Sequence, residues 1–71
     1  MSGETFGQRV RRLRREIGWT QYDLAAEIAA TRAQVSRWET GVNISLSTPR
    51  FWALVEALGT TGEYLWRGES Q

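Results

Sequence analysis

The segment Thr20–Glu39, TQYDLAAEIAATRAQVSRWE, decides the fold of this 71-residue chain. Its first half carries apolar residues at helical spacing, with Leu24 and Ile28 four positions apart. Its second half starts a new stripe with Val35 and Trp38 three positions apart. The break between the two stripes is too short for a loop, so the segment predicts two short amphipathic helices joined by a tight corner.

Capping signals indicate where each of these helices begins. Thr20 is followed three residues later by Asp23, and Thr31 is followed in the same way by Gln34. A hydroxyl residue with a polar partner at this spacing is the pattern of a capping box. The corner is therefore placed at Ala29-Ala30, between the two caps.

The second helix is predicted to span about Arg32 to Thr40. At about 100° per residue, Val35 and Trp38 point to one side, which leaves a polar face opposite them. A short exposed helix that carries arginines suits the major groove of DNA in shape and charge. The residues of this outer face are Arg32, Ala33, Ser36, Arg37 and Thr40.

A longer helix is predicted before this pair, over Thr5–Ile17. Thr5 and Gln8 form another capping pattern, and Gly18 is suited to end the helix in a left-handed conformation. The arginines of this segment lie off its apolar stripe and, apart from Arg14, are expected to be solvated. The stripe consists of Phe6, Val10, Leu13 and Ile17.

Two more helices are predicted downstream of the pair. One begins after Thr48, because the residue before a proline avoids the helical region while Pro49 suits a first turn. A short last helix covers Gly62–Arg67, and in the loop before Thr48 we expect Leu46 and Ile44 to tuck inward. The prediction is a single all-α domain, residues 1–71, forming a compact five-helix bundle. The core stripe of the fourth helix is Phe51, Leu54, Val55 and Leu58.

Composition excludes several classes of function. The chain has no Cys and no His, which rules out disulfides, thiolate ligands and imidazole chemistry, so neither a metal nor a cofactor is expected. No apolar run approaches the roughly 18 residues of a membrane span, and no signal peptide opens the chain. No small-molecule ligand is evident. A cytoplasmic protein of a prokaryote or phage is the expectation.

The basic residues are concentrated in the first half of the chain. All nine are Arg, and five of them fall between Arg9 and Arg15, although the net charge is only +1. This asymmetry predicts a positive face built by the N-terminal half. The planar guanidinium suits phosphate and guanine, but genome base composition explains an all-Arg chain equally well.

From Phe6 to Gly68 the chain resembles the Cro/C1 (XRE-type) helix-turn-helix DNA-binding domain of lambdoid phage repressors. The resemblance implies a five-helix domain that binds double-stranded DNA, usually as a homodimer on a palindromic operator, with the third helix in the major groove. The matching residues are Phe6-Gly7, Arg9-Val10, Arg14, Gly18-Trp19-Thr20-Gln21, Leu24-Ala25, Ile28, Val35-Ser36, Trp38-Glu39, Gly41, Leu54, Ala57-Leu58-Gly59, Tyr64-Leu65 and Gly68.

The resemblance also assigns roles to residues around the helix pair. Arg14 and Glu39 match a pair that the family joins in a partly buried salt bridge, which would tie the third helix to the first. Gln21 matches a position that grips phosphate at the start of the second helix, although a solvated Gln is the simpler alternative. Tyr22 could add a hydroxyl to the same phosphate or remain idle on the surface.

Three residues match the family's main base-reading positions. They are Arg32, Ala33 and Arg37, with Ser36 and Thr40 as secondary candidates. An Arg can pair with guanine through two hydrogen bonds, and an Ala methyl suits the thymine methyl. The alternative for both arginines is contact with phosphate, which positions the protein without specifying sequence. Backbone contacts on the far side of the groove are expected from Asn43 and Arg50.

Aromatic residues near the end of the chain suggest an interface. Trp52, Tyr64 and Trp66 exceed what a thin core needs, and exposed Trp often marks a contact surface. The resemblance places the family's dimer contact here, while packing at the edge of the core is the alternative. Ala29 departs from the family, which often has Gly at the corner.

Two other functions compete with sequence-specific transcription regulation, most simply repression. The same fold could serve as an antitoxin or another protein-binding module, with Trp52 and Trp66 as the partner surface. An enzyme is the weakest alternative, since the chain has no His, Cys or Lys and a single Asp. Ser36 has no base placed to activate it.

Overall fold

Every helix within the described residues begins at a hydroxyl side chain. The computed structural model describes residues 3–41 and 45–68, and these ranges contain five helices. The N-caps are Thr5, Thr20, Thr31, Ser47 and Thr61, each accepting a hydrogen bond from the backbone three residues later. The helices are α1 (Phe6–Ile17), α2 (Gln21–Glu27), α3 (Arg32–Thr40), α4 (Thr48–Ala57) and α5 (Gly62–Arg67).

The three predicted capping boxes are all present. In each, the Thr hydroxyl accepts from the third helical N–H while the side chain of that third residue accepts from the Thr N–H. For α4 the predicted start is one residue late, because Ser47 is the cap and Thr48 is already helical. The Ser47 hydroxyl accepts from the Arg50 N–H at 3.4 Å, so capping outweighs the extended preference of a residue before Pro49.

The helices enclose one hydrophobic core to which all five contribute. Val35 and Trp38 are fully buried, as predicted for the inner face of α3. Ile17 differs from prediction: its side chain is 44% exposed, because it lies at the last residue of α1, beyond the elements that cover this stripe. The buried core consists of Val10, Leu24, Ala25, Ile28, Val35, Trp38, Leu54, Val55, Leu58 and Leu65.

At Gly7, α1 lies directly against the backbone at the end of α3. A Cβ atom on Gly7 would lie only 2.5 Å from the carbonyl oxygen of Glu39 and would also overlap that of Trp38. Only a residue without a side chain fits there. Since α1 also packs on α5, it holds α3 and α5 in one arrangement.

The corner between α2 and α3 is strained at Ala29, the position where the family often has Gly. Ala29 has φ 56°, in the left-handed region that favours glycine. The N–H of Ala30 returns to the carbonyl of Ala25 at 2.8 Å, which closes the end of α2. Ala29 therefore keeps the left-handed conformation despite its side chain.

Of the α1 arginines that the sequence predicted to be solvated, only Arg11 and Arg15 are exposed. Arg9 is buried and donates to the carbonyls of Leu65 and Glu4 at 3.0 Å each. Arg12 donates to both carboxylate oxygens of Glu4, at 2.8 and 3.2 Å, and to Glu16 at 3.1 Å. This hydrogen bonding by Arg12 holds the pKa of Glu4 below its usual value near 4.5. Arg9 and Arg12 therefore make contacts within the domain, while Arg11 and Arg15 keep their charge at the surface.

Two further findings concern the described residues, 3–41 and 45–68. None of their helices has the length and apolar character needed to cross a membrane. They also contain no group of three acidic, His or Cys side chains arranged to hold a metal ion.

Candidate nucleic-acid interface

The outer face of α3 carries the predicted base-reading residues together. Arg32, Ala33, Arg37 and Thr40 are exposed, and Ser36 is partly buried. The Thr40 hydroxyl, however, donates back to the carbonyl of Ser36 at 3.0 Å, which turns this side chain toward its own helix. The surface therefore consists mainly of two guanidinium groups flanking a small apolar patch.

A buried ion pair fixes this face relative to the rest of the molecule. Arg14 Nε donates to Glu39 Oε2 at 2.7 Å, and Arg14 Nη2 donates to Glu39 Oε1 at 3.1 Å. Both residues are less than a tenth exposed, and Arg14 Nη1 donates to the Trp19 carbonyl at 2.7 Å. The pair links α1 to α3 and withdraws an acid that would otherwise repel a phosphate backbone.

The first turn of α2 continues this network toward the surface. Gln21 donates from Nε2 to Glu39 Oε1 at 3.0 Å, and its Oε1 accepts from Arg32 Nη1 at 3.0 Å. The Arg32 guanidinium also lies over the Tyr22 ring, with its carbon 5.6 Å from the centroid. A continuous chain of contacts therefore runs from the interior through Gln21 to Arg32.

One surface arginine belongs to this site although the sequence did not single it out. A concave surface brings Arg15, at the end of α1, beside Gln21, Tyr22 and Arg32. Arg15 is exposed. Arg15 lies in the last turn of α1, close in sequence to Gln21 and Tyr22 at the start of α2, and this proximity was the available signal.

Arg50 lies apart from the outer face of α3. Its Nη2 donates to the carbonyl of Ala29 at 3.0 Å, and its Nη1 donates to Gln34 Oε1 at 3.2 Å. The Arg50 side chain, predicted to contact the DNA backbone, thus lies against the corner between α2 and α3. Asn43, the other predicted contact on this side, lies outside the described residues.

The predicted dimer residues divide between two surfaces. Trp52 and Trp66 are 52% and 57% exposed and line one groove between α4 and α5. The Trp66 ring packs on Phe6, at 5.3 Å between centroids, so it is partly anchored in the core. Tyr64 instead turns toward α1, where its hydroxyl accepts from Arg12.

Together, a capped helix pair with a tight corner, a buried inner face and an exposed arginine-bearing outer face define a helix-turn-helix protein. The helix-turn-helix family model matches residues 10–65, so the chain belongs to this family, in its Cro/C1-type branch. No curated protein sequence matches the chain.

Solved structures share the fold over nearly the whole chain. The P22 c2 repressor in complex with synthetic operator 9T superposes with a TM-score of 0.86 at 25% identity, covering 92% of this chain and 97% of that one. The restriction-modification controller protein C.AhdI of Aeromonas hydrophila gives a TM-score of 0.77 at 33% identity, covering 86% of this chain and 91% of that one.

The same fold also occurs as part of a larger protein. Hydroxypropylphosphonic acid epoxidase from S. wedmorenis matches with a TM-score of 0.78 at 22% identity, covering 92% of this chain but 34% of that one. At this identity the likeness concerns the fold alone.

Proposed function

We propose that this protein is a transcription regulator that binds specific sites in double-stranded DNA, with α3 in the major groove. The observation that carries the proposal is the exposed face of Arg32, Ala33 and Arg37 on a helix whose opposite face is fully buried. The buried pair of Arg14 and Glu39 holds that helix to the scaffold. A rigid, exposed and basic helix is what direct reading of base edges requires.

The two arginines of α3 have different roles in this proposal. Arg37 is exposed on the outer face and donates no hydrogen bond to a side chain among the described residues, so it is free to pair with a guanine. Arg32 is held by Gln21 and stacked over Tyr22, beside the first turn of α2. This placement favours a position at the groove edge, where Arg32 reaches a base or the adjacent phosphate. Ala33 offers its methyl to a thymine, and Ser36 and Thr40 remain secondary contacts.

Contacts with the phosphate backbone of the DNA are assigned to the concave surface beside α2. Gln21 keeps one amide hydrogen for an acceptor outside the domain after its bond to Glu39. Arg15 contributes a charge and Tyr22 a hydroxyl on the same surface. These three side chains would set the register of α3 without reading sequence.

A homodimer on a palindromic operator is the form in which we expect the protein to act, most simply as a repressor that occludes a promoter. The groove lined by Trp52 and Trp66 supplies an apolar surface for a second copy. Its walls include Glu63 and Arg67, which lie one helical turn apart on α5. Around a two-fold axis we expect the acid of one copy to face the base of the other, as a self-complementary surface requires.

In vitro selection of bound duplexes tests the proposal directly. We expect a recovered site with two inverted half-sites about one helical turn apart. Binding to that site should weaken steeply with salt, as phosphate neutralisation requires. Recovery of no common sequence, or binding of equal strength to any duplex, would contradict sequence-specific recognition.

The exposed tryptophans support a second function, that of a protein-binding module such as an antitoxin. The groove of Trp52 and Trp66 is large and apolar enough for a partner segment. Stable co-purification with another protein, combined with no affinity for any selected duplex, would favour this alternative. Catalysis by this domain is not proposed, since neither His nor Cys is available to it.

A further inference from the structure

The corner of the helix-turn-helix is held from outside the motif. The Arg50 guanidinium reaches from the first turn of α4 to the Ala29 carbonyl at 3.0 Å and to Gln34 Oε1 at 3.2 Å. The same Gln34 oxygen accepts from the Thr31 N–H at 3.0 Å. One guanidinium therefore bridges the end of α2 and the cap of α3.

The corner has physical reasons to need such a contact. Ala29 adopts a left-handed conformation that an alanine disfavours. Its carbonyl follows the end of a seven-residue helix, where backbone acceptors lack intrahelical partners. A charged donor satisfies this acceptor more strongly than a neutral one and fixes its direction.

We propose that Arg50 is a positioning residue, which sets the angle of α3 by clamping the corner and does not act as a phosphate ligand. This inference rests on the proposed DNA-reading role of α3. Arg50 donates to two acceptors, one on each side of the corner. This explains why the residue is an Arg, because the planar guanidinium fork can donate to both at a fixed spacing. A Lys keeps the charge but not the fork.

The first test needs no DNA. Amide hydrogen exchange is compared between the wild-type protein, the Arg50→Lys variant and the charge-preserving control Arg11→Lys on the exposed side of α1. We expect faster exchange of the amides at residues 29–35 in Arg50→Lys and no change there in the control. Unchanged exchange at the corner in Arg50→Lys would overturn the clamp.

The second test separates clamping from phosphate contact by measuring affinity for the selected duplex and for a random duplex over a range of salt. We expect the affinity of Arg50→Lys and of Arg50→Ala for the selected duplex to fall roughly tenfold, which is the effect of about one charge-assisted hydrogen bond. The slope against salt should stay that of the wild type.

A phosphate ligand would behave differently in both variants. Arg50→Lys would then keep wild-type affinity, and Arg50→Ala would lower the slope by about 0.9 for the one lost contact on both duplexes. That result overturns the inference while the proposed function stands. If the wild-type protein binds no duplex, the proposed function fails, and the exchange measurement still decides whether Arg50 clamps the corner.

Discussion

The strained corner residue makes a residue-scale prediction about stability. Ala29 adopts φ 56° on the surface, so Ala29→Gly removes an unfavourable side chain without opening a cavity. We expect the free energy of unfolding to rise by about 1 kcal/mol, measured by urea denaturation.

Ala26 provides the matched control for this substitution. It is also an exposed alanine but lies within α2, where Ala26→Gly should lower the free energy of unfolding by about 0.5–1 kcal/mol. The same sign of change at both positions would contradict the assignment of strain to residue 29.

Arg37 carries the residue-scale prediction about recognition. Because its guanidinium is exposed on the reading face, Arg37→Ala should lose about 1–3 kcal/mol of discrimination at one base pair, measured against single-base variants of the selected duplex. Gln21→Ala should instead weaken all duplexes about equally. Equal losses for Arg37→Ala on selected and random DNA would identify it as a phosphate contact.

At the scale of helices, α1 organises the domain through its ion pair with α3. Arg14 and Glu39 are both buried, so Arg14→Ala strands a carboxylate in the interior. We expect the free energy of unfolding to fall by about 3–5 kcal/mol, read from the denaturation midpoint. Arg11→Ala, on the exposed side of the same helix, should have little effect, and an unchanged midpoint for Arg14→Ala would argue against the pair.

The contact between α1 and the segment before it predicts how stability depends on pH. Hydrogen bonding from Arg12 lowers the pKa of Glu4 in the folded protein, so the unfolded chain binds a proton at higher pH than the folded one. The stabilisation is therefore complete above pH 4.5 or so and is lost as the pH falls through the lower, folded pKa.

Glu4→Gln tests this linkage, with thermal midpoints measured between neutral and acidic pH. The variant should melt lower than wild type at neutral pH, and the two curves should converge in acid. Parallel curves over the whole range would show that Glu4 does not contribute.

Sequence reasoning succeeded for the helices where the interactions are local. The boxes at Thr5, Thr20 and Thr31 lie within four residues, so their pattern is visible in the chain itself. The long-range pair of Arg14 and Glu39 followed from the family resemblance, but the other long-range contacts of arginine were missed. Arg9 reaches a carbonyl 56 residues away and Arg50 one 21 residues away, and no spacing rule distinguishes such a side chain from a solvated one.

In the molecule as a whole, the proposed DNA-reading surface and the proposed self-association surface lie on different helices. Trp52 is half exposed in the groove proposed as the dimer contact, so Trp52→Ala should weaken self-association by about 2 kcal/mol, measured by sedimentation. Occupancy of two half-sites should then lose its cooperativity. Ile17→Ala, which truncates an exposed apolar side chain on α1, is the control and should leave both unchanged. If Trp52→Ala self-associates as strongly as the wild type, the dimer contact lies on another surface.

The bare backbone at residue 7 has a consequence for how the domain tolerates change. Even a methyl group there would collide with the carbonyl oxygens at the end of α3. Any other amino acid at residue 7 would therefore force the first and third helices apart. Saturation mutagenesis under selection for operator binding should therefore return a single permitted amino acid at this position, whereas Arg11, on the exposed side of the same helix, should accept many.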